Sequence, residues 1–508
     1  MTKNKVRLKL RIRPLTVILL VLLLISCLCY TSAKWYEEVY GSIGFDSVLY
    51  TLFSDMGGVE MDLVISFVKD AVLFAGFFFV VVAGVLFFPA RGYLALQIFE
   101  SKKIRLFPFH RVLSCILCLA ICSYFLVHAA KDVQLDEYIE SVRNPSHFFE
   151  ENYIDPAQVE ITFPEEKRNL VFIYLESMEV SQFAAAQGGT LPYNTIPELY
   201  QLAQENINFS HTDGIGGAYS TSGTTWTIGA MVAHTAGIPL KTLANDIENE
   251  YGLSGGFLPG VTTLMDILHE NGYYQSLMVG SDGTFGGRYE YYMGHGADIV
   301  YDYFDAMDAG IIPHGYHVFW GMEDKYLFEY AKRELTEIAK KDQPFAFNML
   351  TVDTHHTEGY ICSLCESEYD EPYENAYACS SRQVSEFVQW LQQQPFYENT
   401  TVILVGDHPT MGAEYMSRVR SPGYSRRMYN CFLNSVAQTE NVKNRKFCTM
   451  DMFPTTLAAI GCTIEGDRLG LGTNLFSDRT TMMEEMGIGK FDKEVSVFSR
   501  YYIETFAK

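Results

Sequence analysis

The stretch Asn169-Leu-Val-Phe-Ile-Tyr-Leu-Glu-Ser177 decides the fold. Six apolar residues run unbroken from Leu170 to Leu175 and then give way to an acid and a hydroxyl. A strand with one wet face would alternate, whereas an unbroken run suits a parallel strand buried on both faces. Similar runs recur at 274–279, 345–352 and 401–405. Helical patterns fall between them, at 227–235, 262–271, 324–341 and 380–394. Strands alternating with helices predict an α/β domain with a mostly parallel sheet and helices on both faces. In such sheets ligands sit beyond the carboxyl ends of the strands.

Outside these runs the chain has two unlike parts. Residues 1–130 carry 13 Lys/Arg against 8 Asp/Glu, and the remainder carries 25 against 53. The formal charge of −23 therefore joins a basic N-terminal part to a strongly acidic one. That acidity argues against nucleic acid as a partner, because nucleic acid is held through Lys and Arg on its phosphates. Solubility is the simplest reason for the acidity itself, and an anionic substrate must be held locally, by a metal or a few placed cations.

Three uncharged apolar runs, near 15–33, 71–89 and 112–130, approach the ~20 residues a bilayer core needs. The first 13 residues hold Lys3, Lys5, Arg7, Lys9, Arg11 and Arg13 and no acid, whereas the loop after the first run is acidic. Positive loops stay cytoplasmic. The expected topology is a multi-pass plasma or inner membrane protein with a cytoplasmic N-terminus and everything after residue 130 outside. Thr31-Ser32-Ala33 also fits a signal-peptide cleavage site and Leu24-Ile25-Ser26-Cys27 a weak lipoprotein box; two further spans favour a retained anchor. Segment 41–61 is a candidate interfacial helix. The expected domains are thus 1–130 in the membrane, a linker at 131–168 with an amphipathic helix near 133–142, and an α/β domain at 169–508.

Of 11 cysteines, six lie in the acidic part: Cys362, Cys365, Cys379, Cys431, Cys448 and Cys462. An even number in an exported domain permits disulfides. The expected bridges join Cys379 to Cys362 or Cys365, and Cys431 to Cys448. Cys362-Ser-Leu-Cys365 also has the spacing of a zinc or redox motif, a weak signal without a second pair.

Four motifs carry chemistry. Glu176 and the pair Asp407-His408 each follow a buried strand, and carboxylates with imidazole suit Mn²⁺, Mg²⁺ or Zn²⁺. Thr224 sits between a Gly/Ser loop and an apolar helix, where helix-terminal N–H groups favour phosphate. A metal-activated Thr224 would be a nucleophile; alone, it reads as an N-cap. His355 and His356 follow the strand ending near residue 352 and suit proton transfer or a phosphate oxygen. Arg288, with Asp282 in the turn before it, is the expected substrate-side group; a surface charge is its competing reading.

Together these motifs resemble the phosphoglycerol transferase and lipoteichoic acid synthase family of the sulfatase/alkaline phosphatase-like superfamily. The resemblance runs over about 169–477. It includes Thr224-Thr-Trp-Thr-Ile-Gly-Ala-Met-Val232 with Gly237-Ile-Pro-Leu240, Asp353-Thr-His-His356, Gly406-Asp-His-Pro409 and Arg468-Leu-Gly-Leu-Gly-Thr-Asn474. It implies a Mn²⁺-type ion on Glu176, Thr224, Asp407 and His408. It implies that Thr224 takes glycerophosphate from phosphatidylglycerol and passes it to a hydroxyl of an extracytoplasmic glycan or polyol-phosphate polymer. It also implies His355 as substrate-binding and Arg288 as the phosphate-side cation. No C/S-x-P-x-R motif lies near Thr224, which argues against sulfate ester hydrolysis. Phosphoethanolamine transfer or lipid phosphodiester hydrolysis would use the same residues; a non-catalytic glycan-binding membrane protein is the third reading.

Overall fold

The computed structural model describes residues 14–40, 45, 48–49, 61–87, 95–99, 102–105, 110–241, 256–356, 358–419 and 423–507. The basic residues 3–13, most of segment 41–61 and the end of the span expected at 71–89 lie outside the described residues. The chain divides into two compact units, residues 1–43 with 61–136 and residues 44–60 with 137–508.

Among the described residues of the first unit, three helices are long and apolar enough to cross a membrane: α1 (Pro14–Tyr40), α2 (Val64–Phe87) and α3 (His110–Asp132). Leu19, Leu23, Cys27, Ala75, Cys118 and Cys122 interlock between them, and Leu15, Ile18, Phe77, Val80 and Ile116 face outward. Helix α2 begins before the expected residue 71 and takes in Lys69 and Asp70 through a π-helical turn, Phe67–Leu73. Two bonds from α1 hold this polar start: Thr31 Oγ1 donates to Ala71 O (2.9 Å) and Trp35 Nε1 to Ser66 Oγ (2.9 Å).

The second unit is built on a seven-stranded sheet: β1 (Asn169–Leu175), β2 (Gly217–Ala218), β3 (Tyr274–Val279), β4 (Ile299–Tyr301), β5 (Phe345–Leu350), β6 (Thr400–Gly406) and β7 (Met428–Leu433). The order is β2-β7-β6-β1-β5-β3-β4. The strands from β6 to β4 are parallel, and β7 with β2 adds an antiparallel edge. Both faces are covered, and β1 shows it residue by residue. Leu170, Phe172 and Tyr174 join one core with helix α4 (Thr227–Ala236), whereas Val171 and Ile173 join another with α5 (Asp324–Ile338) and α6 (Pro372–Gln392). The period-2 alternation of side chains sends consecutive apolar residues to opposite cores, which is why the run is unbroken. A helix also runs Leu135–Arg143.

The cysteines differ from expectation. All are free thiols among the described residues. Cys431 packs in the α5/α6 core and Cys448 in the α4 core, so the sheet separates the pair expected to bridge. Cys362, Cys365 and Cys379 do come together, at sulfur–sulfur distances of 3.7 and 3.8 Å from Cys362, well beyond the ~2.05 Å of a disulfide.

Candidate metal centre

Strands β6, β1 and β5 end side by side. Leu175 pairs with Gly406 and Tyr174 with Leu350, so Glu176 and Asp407 leave the sheet as neighbours. Gly406 permits this approach, because a Cβ there would lie 1.7 Å from the carbonyl oxygen of Met178. The chain then turns sharply at Ser177, whose φ of 53° is left-handed, a conformation costly for a residue with a Cβ. Three bonds hold it: Ser177 N–H donates to Asp407 Oδ1 (2.8 Å), Ser177 Oγ to Glu176 Oε1 (2.7 Å), and Tyr377 OH to Ser177 O (3.0 Å).

Glu176, Asp407 and His408 each bring one potential ligand atom within 4.8 Å of the others, and all three are buried. His408 Nδ1 lies 3.0 Å from Pro409 O. A carbonyl only accepts, so Nδ1 carries the proton and Nε2 keeps its lone pair. Nε2 lies 3.5 Å from Glu176 Oε1 and 3.3 Å from Asp407 Oδ2. Asp407 Oδ1 accepts the backbone N–H groups of Ser177 and His408, while its buried Oδ2 has no hydrogen-bond partner. Buried polar atoms are normally satisfied; converging electron-pair donors with one left over fit a divalent cation. Burial, then repulsion from Asp407, pushes the Glu176 carboxyl up to about 8, and burial pushes Asp407 up to about 7. A cation would offset both.

Two threonines stand near the start of α4. Thr224 is buried, but its hydroxyl closes its own turn: it accepts from Thr221 N (2.9 Å) and donates to Thr221 O (2.9 Å). Nor is it the N-cap of α4, a position held by Trp226. Besides Ser177 Oγ on Glu176, the Thr227 hydroxyl reaches the cluster, 3.2 Å from His408 Nε2. Thr227 is the first residue of α4, where helix N–H groups are free and the dipole end is positive. The helical pattern beginning at 227 already placed it there.

Arg288 is buried, donating from Nε to Phe285 O (2.8 Å) and from Nη2 to Ser281 Oγ (2.9 Å) and Asp282 O (2.6 Å). Its charge lowers the pKa of both Glu176 and His355. The Asp282 carboxylate accepts from Thr284 N and Oγ1 and so shapes the turn. His355 packs against Trp320 and stacks on His356. Loss of water pushes His355 down to about 3 and His356 down as well, so both rings are neutral. His355 Nδ1 donates to His356 O (2.8 Å), leaving Nε2 a hydrogen-bond acceptor. Asp353 lies deeper, where its Oδ1 accepts Asp324 N (3.1 Å).

Helix α6 props these loops from below. Tyr373 OH bonds Thr354 O and Thr410 Oγ1, both at 2.7 Å, and Tyr377 holds Ser177. Arg426 pairs with buried Glu179 and donates to Thr410 O (2.8 Å). Nothing in the motifs pointed to Tyr373, Tyr377 or Arg426, because each acts across more than ten residues of chain.

The parallel sheet and the buried carboxylate–imidazole cluster at its carboxyl edge define a sulfatase/alkaline phosphatase-like domain. A family model described as Sulfatase matches residues 168–461, more than half of the chain, and the chain belongs to the sulfatase family. Among curated proteins it is similar to the phosphoglycerol transferase I of Xanthomonas campestris pv. campestris, 30% identical over 320 residues, covering 62% of this chain and 43% of that protein. It is also similar to the phosphoglycerol transferase I of Salmonella choleraesuis, 29% identical over 355 residues, covering 68% and 44%. The chain thus spans less than half the length of these relatives. Among solved structures, the lipoteichoic acid synthase LtaP from Listeria monocytogenes is 20% identical with a TM-score of 0.48, over 63% of this chain and 79% of that one.

Proposed function

We propose that this protein is a membrane-anchored transferase that moves a glycerophosphate group from phosphatidylglycerol to a hydroxyl of an extracytoplasmic glycan or polyol-phosphate polymer. The observation that carries the reading is the meeting of Glu176, Asp407 and His408 with the Thr227 hydroxyl at the start of α4. Similarity to proteins named phosphoglycerol transferase I supports phosphoglycerol as the transferred group.

Glu176, Asp407 and His408 would hold a divalent cation, Mn²⁺ in this reading. When bound, that cation supplies Lewis acidity at the phosphoryl oxygens and lowers the pKa of a nearby hydroxyl. Thr227 Oγ1 attacks phosphorus and gives up its proton, the bond from phosphorus to the diacylglycerol oxygen breaks, and that oxygen takes up one proton, so protons balance over the step. Thr227 then carries glycerophosphate as a phosphodiester. Arg288 and the N-terminal N–H groups of α4 stabilise the phosphoryl charge. His355 Nε2 accepts a hydrogen bond from the acceptor hydroxyl, whose oxygen displaces Thr227 from phosphorus, and the proton that hydroxyl loses is balanced by the one Thr227 Oγ1 takes up. Thr224 keeps the preceding turn in shape and is the alternative nucleophile. The N-terminus is cytoplasmic and the sulfatase domain extracytoplasmic.

The test is mass spectrometry of the full chain in detergent, after Mn²⁺ and phosphatidylglycerol. A glycerophosphate adduct mapped to Thr227 and lost in Thr227→Ala establishes donor and nucleophile. An adduct on Thr224 moves the nucleophile. Diacylglycerol release into water without transfer turns the reading to hydrolysis. With no adduct and no diacylglycerol, phosphatidylglycerol is not the donor, and phosphatidylethanolamine is tried next.

A further inference from the structure

A second cluster of potential ligands lies apart from the carboxylates. Cys362 and Cys365 sit on the loop that follows the His355-His356 motif, and Cys379 projects from α6. Their three sulfurs lie within 4.8 Å of one another. Cys362 Sγ is 3.7 Å from Cys365 Sγ and 3.8 Å from Cys379 Sγ.

These distances discriminate between chemistries. Two sulfurs bound tetrahedrally at the usual zinc–sulfur length of ~2.3 Å stand about 3.8 Å apart. A disulfide would hold one pair at ~2.05 Å and leave the third cysteine odd. The local chain also has the form of a metal knuckle. Cys362 and Cys365 are two residues apart, the spacing common to zinc ligand pairs. The N–H of Leu364 points at Cys362 Sγ (3.4 Å) and Gln383 Nε2 at Cys379 Sγ (3.4 Å). Donors aimed at sulfur favour thiolate over thiol. Lys325, paired with Glu323 (2.9 Å), also bonds Ser363 Oγ (3.0 Å) and so helps fix the loop between Cys362 and Cys365. Cys362 and Cys379 are buried and Cys365 is half-buried. Among the described residues no His, Asp or Glu completes the set within 4.8 Å.

We propose that Cys362, Cys365 and Cys379 form a second metal site, a three-thiolate centre for a soft divalent cation of the Zn²⁺ class. It is structural. It ties the loop carrying His355 and His356 to α6, the helix whose Tyr373 and Tyr377 hold Thr354 and Ser177 at the candidate centre. Its ligands are sulfur only, so it takes a different class of ion from the oxygen and nitrogen cluster, and it stands independently of the proposed transfer reaction.

The experiment uses the full chain in detergent, stripped of metal under anaerobic reducing conditions and titrated with Co²⁺. Thiolate-bound cobalt has a sulfur-to-metal charge-transfer band in the near ultraviolet, which carboxylate and imidazole ligands do not give. The expected result is one equivalent of this band in the wild type and in Glu176→Gln, with its loss in both Cys379→Ser and Cys365→Ser. The half-buried Cys365 is the safer variant for folding, and an unchanged melting midpoint of its metal-free form confirms that the fold survives. Zn²⁺ added to the wild type should bleach the band. The proposal is overturned if metal-free wild type shows three titratable thiols and no band. It is equally overturned if the protein as purified is two hydrogens lighter than its fully reduced form, with two of these three cysteines joined in one peptide pair.

Discussion

Mn²⁺ should stabilise the sulfatase unit, and Asp407→Asn should remove that effect without harming the metal-free protein. Asp407 Oδ1 accepts two backbone N–H groups, whereas Oδ2 is buried without a partner. An Asn at 407 keeps the first oxygen, so both backbone bonds survive; its amide replaces only the unpartnered atom, and the metal-free midpoint should stay within about 2 °C. Mn²⁺ at 100 times its Kd stabilises the folded state by about 2.7 kcal/mol. The unit holds about 370 residues after residue 136, and its unfolding entropy near the midpoint is about 0.8 kcal/mol/K. The expected wild-type shift is therefore about 3 °C. Loss of groups that merely support a ligand weakens metal binding 10–100-fold, so loss of a charged ligand should reach at least about 100-fold. At the same Mn²⁺ concentration Asp407→Asn should then gain only ~0.4 kcal/mol, under about 1 °C. Intrinsic fluorescence suits the assay, because Trp226, Trp320 and Trp390 all lie in this unit. Mn²⁺ suits it too, because thiolates prefer softer ions. An absent wild-type shift, or an equal shift in the variant, would refute the assignment of Asp407 as a ligand.

Three further outcomes are expected. Thr227→Ala should lower kcat by at least about 10³-fold, as loss of a covalent nucleophile does, while Thr224→Ala should mainly cost stability, about 1–2 kcal/mol, by freeing the Thr221 backbone groups; transferase assays and denaturant melts on both variants separate the roles. Tyr373→Phe should cost about 1–3 kcal/mol, because its hydroxyl joins Thr354 O and Thr410 Oγ1 in a buried place, and urea unfolding measures it. His234 is buried against Phe172 and Tyr174, and burial holds it down to about 4. The unfolded ring takes its proton near 6.5, so the folded state loses up to about 3 kcal/mol as pH falls from about 6.5 to 4. Urea midpoints of His234→Phe across that window should fall less steeply than those of wild type, and parallel profiles would count against a neutral buried ring.

Much of the fold was legible because both faces of the sheet are dry. Leu170 to Leu175, Tyr274 to Val279 and Val402 to Val405 send alternate side chains into two cores, so each reads as a solid apolar block. The antiparallel edge was not legible. Met428–Leu433 is polar at Asn430, and Gly217–Ala218 is too short to carry a pattern. Helix α2 began early because a π-helical turn and bonds from Thr31 and Trp35 accommodate a polar start that hydropathy alone excludes.

At the site, linear order was enough to nominate Glu176, Asp407 and His408, since an acid or imidazole directly after a buried parallel strand has one place to go. The choice between Thr224 and Thr227 was not available from order. In the structure the Thr224 hydroxyl bonds within its own turn and the Thr227 hydroxyl reaches His408 across 181 residues of chain. The cysteines teach the same lesson. Spacing alone left disulfide and metal both open, and it paired Cys431 with Cys448 across a sheet that keeps them apart. Local sequence determines where a strand ends and what chemistry stands at its tip. Only packing determines which tips and turns meet, because contacts between distant segments depend on strand order, register and the helices that hold each loop.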